Sequence, residues 1–298
     1  MHKRNKHRDG YDFPALATTY AELEDYMFHN NFGNLSIDFA NPKAVKALNT
    51  ALLKHHYGIT YWEFPDAHLC PPIPGRVEYI HLIQDLLSDI GISKAVTVLD
   101  IGTGATCIYP ILGHAEYNWH FIASEIDQQA FKNAQKIIAK NKLEKGIELR
   151  FQKDAQDILT GILNPSEQIT VAICNPPFFK NETEAIAATT RKLKGLQKDV
   201  DGLVRNFSGT AKELCYLGGE KAFLHNYLYQ SSLLKSNCIW YTSLVSKKEH
   251  INSMRTSLDK LGAKKVKVLE LSLGNKISRV VAWTFLSDQA LQNFKKEK

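Results

Sequence analysis

From about residue 91 onward, short apolar runs recur at intervals that leave room for a helix between them. This alternation restricts the chain more than any other feature. Ala95–Leu99, Trp119–Ser124, Ile147–Phe151, Ile169–Cys174 and Ile239–Val245 are rich in β-branched and aromatic residues, as strands are. The first and fourth are continuously apolar rather than alternating, the pattern of a strand covered on both faces. Helical spacing is predicted over Val77–Ile90, from about Gln128 to Asn141, and from Gly218 to about Leu234. Val266–Leu271 and Arg279–Phe285 read as a closing antiparallel pair. Strands alternating with helices build an α/β doubly wound, mostly parallel sheet, whose ligands bind outside the strands' carboxyl ends.

Those carboxyl ends carry the chemistry. The first run passes directly into Asp100-Ile101-Gly102-Thr103-Gly104-Ala105-Thr106. Glycines at 102 and 104 let the backbone turn sharply and come close to a ligand. The third glycine of a dinucleotide fingerprint is missing. The second run ends in Glu125, about the twenty-odd residues on at which ribose hydroxyls are commonly gripped, and the third ends near Asp154. Acids at three successive carboxyl ends suit a ligand with an ammonium, a ribose and an adenine amine but no pyrophosphate. S-adenosyl-L-methionine fits that description better than NAD.

The fourth run ends in Asn175-Pro176-Pro177-Phe178, followed by Phe179. Two consecutive prolines stop both a central strand and a helix, because neither has an N–H and each fixes φ. The carbonyls of Asn175 and Pro176 are thereby left to face a cleft, beside the Asn175 amide and two aromatic rings. Oxygen acceptors next to a flat apolar face suit a planar group bearing an NH2, such as the edge of an adenine. A proline turn with two core phenylalanines is the plainer reading.

Upstream, residues 1 to about 90 read as an amino-terminal module. Lys3, Arg4, Lys6 and Arg8, with His2 and His7, form a cationic arm. Such an arm is either a solvated tail or a phosphate contact, and a formal charge of +6 favours a polyanionic partner. Asp9-Gly10-Tyr11-Asp12 follows instead of an apolar segment, so no secretory signal is expected, and no run reaches the length of a membrane span. Tyr20–His29 has helical spacing, Leu35–Phe39 alternates like a short strand, and Asn41-Pro42 reads as a cap and first-turn proline for a helix through Leu53. Pro71-Pro72-Ile73-Pro74-Gly75 reads as a rigid linker or turn delivering Arg76 just ahead of a helix, where a guanidinium can hold a carboxylate bidentately. Residues 180 to about 215 are polar and aperiodic, a long loop flanking the cleft with a cationic stretch from Arg191 to Arg205. Lys247-Lys248 follows the fifth strand. The five cysteines are scattered without a CxxC pair, so neither a zinc site nor a disulfide framework is expected. A reducing cytoplasm fits.

Asp100-Ile101-Gly102-Thr103-Gly104, Glu125 and Asn175-Pro176-Pro177-Phe178 together resemble a class I adenosylmethionine-dependent amino-methyltransferase. Met1–Asn5, Ile101–Pro110 and Cys174–Phe179, with Arg76 and Trp283, resemble the bacterial ribosomal RNA large subunit methyltransferase F family, which is related to eukaryotic small nuclear RNA adenosine methyltransferases. The resemblance implies a seven-stranded, Rossmann-like methyltransferase domain over residues 91–298 and a basic RNA-binding module over residues 1–90. It implies N6-methylation of an adenosine in 23S ribosomal RNA, either naked or in a large-subunit assembly intermediate, by a monomer without a metal. Asn175, Pro176, Pro177 and Phe178 would then hold the acceptor base. Arg76, Asp100, Gly102, Gly104, Thr106 and Glu125, with Asp154 or its neighbours at the cofactor's adenine, would hold S-adenosyl-L-methionine, and Lys3, Arg4, Lys6, Arg8, Lys247 and Lys248 would contact RNA. The turn begins with Asn where many amino-methyltransferases have Asp, and both supply the acceptor. A protein-glutamine methyltransferase would use the same turn, usually with Tyr at the position of Phe178. A non-catalytic RNA-binding module on the same fold, or a DNA substrate, are the other readings.

Overall fold

The computed structural model describes residues 1–187, 209–273 and 276–297. Its centre is a seven-stranded sheet in the order β5-β4-β3-β6-β7-β9-β8. The strands are β3 (Thr97–Ile101), β4 (His120–Glu125), β5 (Ile147–Phe151), β6 (Ile169–Cys174), β7 (Cys238–Val245), β8 (Lys265–Leu273) and β9 (Lys276–Thr284). The five from β3 to β7 run parallel, and β9 and β8 close the edge antiparallel. The chain goes from β3 outward to β4 and β5, then returns to the other side of β3 as β6. Between β3 and β6 the strand order therefore reverses, which opens a crevice at their carboxyl ends.

Alternate residues of the inner strands enter two separate cores, as a two-residue period requires. Val98, Val171, Ile173 and Trp240 pack with α4 (Ile108–Tyr117), α5 (Gln128–Lys140) and the amino-terminal elements. Leu99, Ala172, Cys174 and Tyr241 pack with α8 (Gly219–Leu233) and α9 (Lys248–Leu261). Trp283 is fully buried in the second core, stacked on Tyr241, with its indole N–H donating to Ser231 Oγ at 2.9 Å. The short helices α6 (182–187) and α7 (Ala211–Leu214) flank the stretch after β6, and α10 (Asp288–Glu297) ends the described chain.

The amino-terminal residues form α1 (Phe13–Thr19), a hairpin of β1 (Met27–His29) and β2 (Leu35–Ile37), α2 (Pro42–Tyr57) and α3 (Ile73–Ser88). Phe13, Leu16, Leu52, Trp62 and Ile80 belong to the same buried cluster as Val98 and Leu112, so the core continues across residue 90. Tyr20–His29 is not an α-helix: Tyr20 precedes a 3-10 helix over Ala21–Tyr26, and Met27–His29 is β1. Asn41 caps α2 as its sequence indicates, accepting from Lys43 N at 3.0 Å and Ala44 N at 3.4 Å, and the helix runs on past Leu53 to Tyr57. The proline stretch at 71–75 is not a linker ahead of a helix. Helix α3 begins at Ile73 with Pro74 in its first turn, where the missing N–H would have had no intrahelical partner in any case. Arg76 thus sits inside the helix. Helix α4 has no clear sequence signal because it contains Pro110 and Gly113. Gly113 is required there, since a Cβ would stand 2.4 Å from the Phe121 ring.

The cationic amino terminus is folded rather than free. Asn5 and His7 are each 2% exposed, and Asn5 donates to Glu78 Oε2 at 2.7 Å while His7 pairs with the Tyr57 hydroxyl at 2.8 Å. Arg4 pairs with Asp85, Lys6 with Glu116 at 2.7 Å and Arg8 with Asp9 at 3.0 Å. The cations between Arg191 and Arg205 lie outside the described residues.

Candidate active site

A cavity of about 340 Å³ occupies the crevice between β3 and β6, within the size range of small-ligand sites. Register puts the three predicted corners at one level. Ile101 pairs with Ser124 on one side and with Cys174 on the other. The next residues, Gly102, Glu125 and Asn175, therefore leave three neighbouring strands side by side, and all three line the cavity.

The glycine turn is held by β4 and by Glu125. Gly102 N and Thr103 N both donate to Ser124 O, at 3.1 and 2.9 Å. Gly102 and Gly104 have φ of +73° and +68°, which favours glycine strongly. A Cβ on Gly102 would meet nothing within 4 Å, so the backbone there faces open space. Glu125, 5% exposed, accepts from Gly104 N, Ile126 N and Asp127 N, each at 2.8 Å. A carboxylate can accept about four such bonds, so one acceptor position remains for a ligand. Burial raises its pKa, against the pull of those three N–H groups.

Asp100 precedes the turn and is 1% exposed, and neither of its carboxylate oxygens has a hydrogen-bond partner among the described residues. Burial pushes its pKa up to about 7, with the nearby Thr103 hydroxyl and Arg76 opposing the shift and the Glu125 charge adding to it; Asp100 itself is not part of the cavity lining. Arg76 lines the cavity from the first turn of α3, donating to the Tyr109 hydroxyl at 3.1 Å with its guanidinium 5.5 Å from that ring's centre. Thr106 also lines it, and its carbonyl accepts the Trp62 indole N–H at 3.0 Å. Asp154 does not reach the cavity: its exposed carboxylate caps Gln156 N at 2.8 Å, and Gln152 and Asp157 line the wall instead.

The acceptor turn follows β6. Asn175 and Pro177 line the cavity. Among the described residues, the Asn175 amide and the carbonyls of Asn175 and Pro176 have no hydrogen-bond partner. Phe178 is half-buried, 6.3 Å from Phe179 at an interplanar angle of 69°. The exit of the turn is fixed: Phe179 N donates to Leu214 O and Tyr216 N donates to Phe179 O, both at 3.0 Å. Lys247 and Lys248 are exposed just beyond β7, the strand next to β6.

Sequence reasoning missed the outer wall, formed by Leu69, Pro71, Glu213, Cys215 and Tyr216. One signal was available: Thr210-Ala211-Lys212-Glu213 has the spacing of a capping box, and the box forms. Among the described residues no group of three or more metal-ligating side chains comes together, and no helix is long and apolar enough to cross a membrane.

Comparison with known proteins gives a consistent answer. A family model described as RNA methyltransferase matches residues 1–287. A Shewanella loihica protein named ribosomal RNA large subunit methyltransferase F is 45% identical over 97% of this chain and 79% of its own length. A protein of that name from Aeromonas salmonicida is 45% identical over 97% of this chain and 93% of its own. Among solved structures, the human METTL16 catalytic domain in complex with a MAT2A 3'UTR hairpin superposes with a TM-score of 0.83 at 32% identity, covering 97% and 96% of the two chains. The amino-terminal domain of human METTL16 in complex with SAH gives 0.78 at 28% identity, covering 96% and 99%.

Proposed function

The chain belongs to the RNA methyltransferase family, among the ribosomal RNA large subunit methyltransferase F proteins, and from that premise we propose that it transfers a methyl group from S-adenosyl-L-methionine to the N6 amine of one adenosine in 23S ribosomal RNA. The observation that carries this reading is the shared level of Gly102, Glu125 and Asn175, which brings a donor cavity and an amine-accepting turn together.

The residues present fit the donor. Asp100 is a buried carboxylate behind the wall formed by Ile101 and Gly102, with neither oxygen in an aligned hydrogen bond, and its charge would favour a cation in the cavity. Arg76 supplies the complementary charge for a carboxylate, Glu125 retains one acceptor for a ribose hydroxyl, and Gly102 and Gly104 leave their backbone open to close approach. Gln152 or Asp157, rather than Asp154, would meet the cofactor's adenine edge. When bound, S-adenosyl-L-methionine supplies an electrophilic methyl on a sulfonium.

An adenine amine is a weak nucleophile because its lone pair is delocalised into the ring. The Asn175 side-chain oxygen and the Pro176 carbonyl would accept its two hydrogens, drawing the nitrogen toward tetrahedral geometry and turning the lone pair into the cavity; the methylated amine would then release one proton to water. Phe178 would stack on the extruded base, replacing neighbours worth about 1–3 kcal/mol. Orientation then supplies most of the acceleration. Lys247 and Lys248 would meet the RNA backbone beside the turn, together with the folded amino-terminal module, where Lys3 has no carboxylate partner among the described residues and Arg4, Lys6 and Arg8 are partly neutralised. A protein-glutamine substrate is less well served, because Phe stands at 178 and the cationic surface has no role there.

Nucleoside mass spectrometry of 23S RNA from cells lacking the protein tests the proposal. Loss of one N6-methyladenosine, restored by the wild-type gene, is expected. An unchanged modification map would refute it.

A further inference from the structure

Two segments that do not belong to the sheet close the outer side of the cavity, and one carboxylate joins them. Glu213, on α7, accepts from Thr210 N at 2.8 Å and from Leu69 N at 3.3 Å through Oε2, while its Oε1 lies 3.1 Å from His68 Nδ1, an ion-pair distance without the alignment of a hydrogen bond. Both side chains are shielded, at 2% exposure for His68 and 11% for Glu213. Glu213 raises the pKa of the His68 imidazole against the effect of burial, with Asp127 and Glu125 acting in the same direction. Leu69 and Glu213 line the cavity, and Glu213 Oε1 stands 3.7 Å from where a Cβ on Gly104 would lie. The residues after Glu213 are bonded to the acceptor turn, through Phe179 N to Leu214 O and Tyr216 N to Phe179 O. The described contacts thus run from the amino-terminal module, through His68 and Glu213, past the glycine turn, to the exit of Asn175-Pro176-Pro177-Phe178.

The geometry points to His68 and Glu213 as a positioning pair that sets the outer wall of the donor cavity and, through Leu214 and Tyr216, the placement of the acceptor turn. This rests on the methyl-donor reading of the cavity. Neither residue is assigned a chemical step. A pair that merely stabilised the fold would lower the melting temperature and leave ligand affinity unchanged well below it. A pair that positions the wall changes affinity in the folded protein, and the chemistry of the 68–213 contact decides by how much.

The test is calorimetric titration of the purified full chain with S-adenosylhomocysteine, together with melting temperatures and turnover on 23S RNA at saturating donor. Glu213→Gln and His68→Leu are each expected to weaken binding about tenfold, within the range of coupling between charged side chains in contact, and to lower turnover at saturation. His68→Gln, which keeps a donor toward Glu213, is expected to recover most of the affinity. The double variant Glu213→Gln/His68→Leu is expected to be no worse than the weaker single one, because both remove the same contact. Binding by Glu213→Gln and His68→Leu within about twofold of wild type, with only the melting temperature lowered, would overturn the pairing while leaving the methyl-donor reading intact. A wild-type protein that does not bind S-adenosylhomocysteine at all would overturn both.

Discussion

Asn175 is the side chain on which the proposed chemistry turns, and it can be separated from donor binding. Asn175→Ala removes one amine acceptor and leaves the glycine turn untouched, so turnover should fall at least about a hundredfold, the scale of a misplaced reactant. Affinity for S-adenosylhomocysteine should change little in titration calorimetry. Glu125→Gln does the reverse. It turns an NH2 toward at least one of the N–H groups of Gly104, Ile126 and Asp127, at about 1–3 kcal/mol for a buried donor left unpaired, measurable as a lower melting temperature and weaker donor binding. Asp100 makes a pH prediction. Its pKa rises from 3.8 unfolded to about 7 folded, so between those values the folded chain holds the extra proton and stability falls as pH rises. Asp100→Asn should flatten that part of the pH–stability curve of the free protein and weaken donor binding.

At the scale of elements, the amino-terminal segment is a second pH-sensitive part with the opposite sign. Burial, aided by His56 for His7 and by His2 for His81, pulls both imidazoles down to about 4 from 6.5. The unfolded chain binds these protons first, so their contribution is complete above pH 6.5 and is lost as pH falls toward 4. Protection factors of the amides of residues 2–10, corrected for the intrinsic slowing of exchange toward acid, should drop across that window before those of the strands of the sheet do. The same segment shows what sequence conceals. The parallel strands were legible because continuous apolar runs have few alternatives, and β5 and β6 begin and end where their sequences say. Asn41-Pro42 announced its helix through side-chain chemistry alone. Arg4 and Lys6 read as part of a free arm because their partners Asp85 and Glu116 are far along the chain. Ion pairing across such separations leaves no local pattern. Of the site, Gly102, Gly104, Glu125 and Asn175 were legible because strand ends converge by topology. Glu213 and Leu69 were not, since only tertiary contact brings them to the cavity, and Asp154 was misplaced because a strand's end does not say which acid of the following turn faces inward.

For the molecule as a whole, the account requires RNA to reach a donor cavity through a cationic rim on a chain of formal charge +6. Replacing Lys247 and Lys248 together by Ala should weaken RNA binding without altering donor affinity, and should reduce the slope of log affinity against log salt by about two. The central claim is that the turn after β6 offers an adenine amine to the donor held after β3. The most direct measurement incubates the purified chain with unmodified 23S RNA, or with large-subunit particles, and isotopically labelled S-adenosyl-L-methionine, then identifies the labelled nucleoside for wild type and Asn175→Ala. The account predicts label in N6-methyladenosine at a single position with wild type and essentially none with the variant. Label in a ribose, in another base or in protein, or undiminished transfer by the variant, would contradict it.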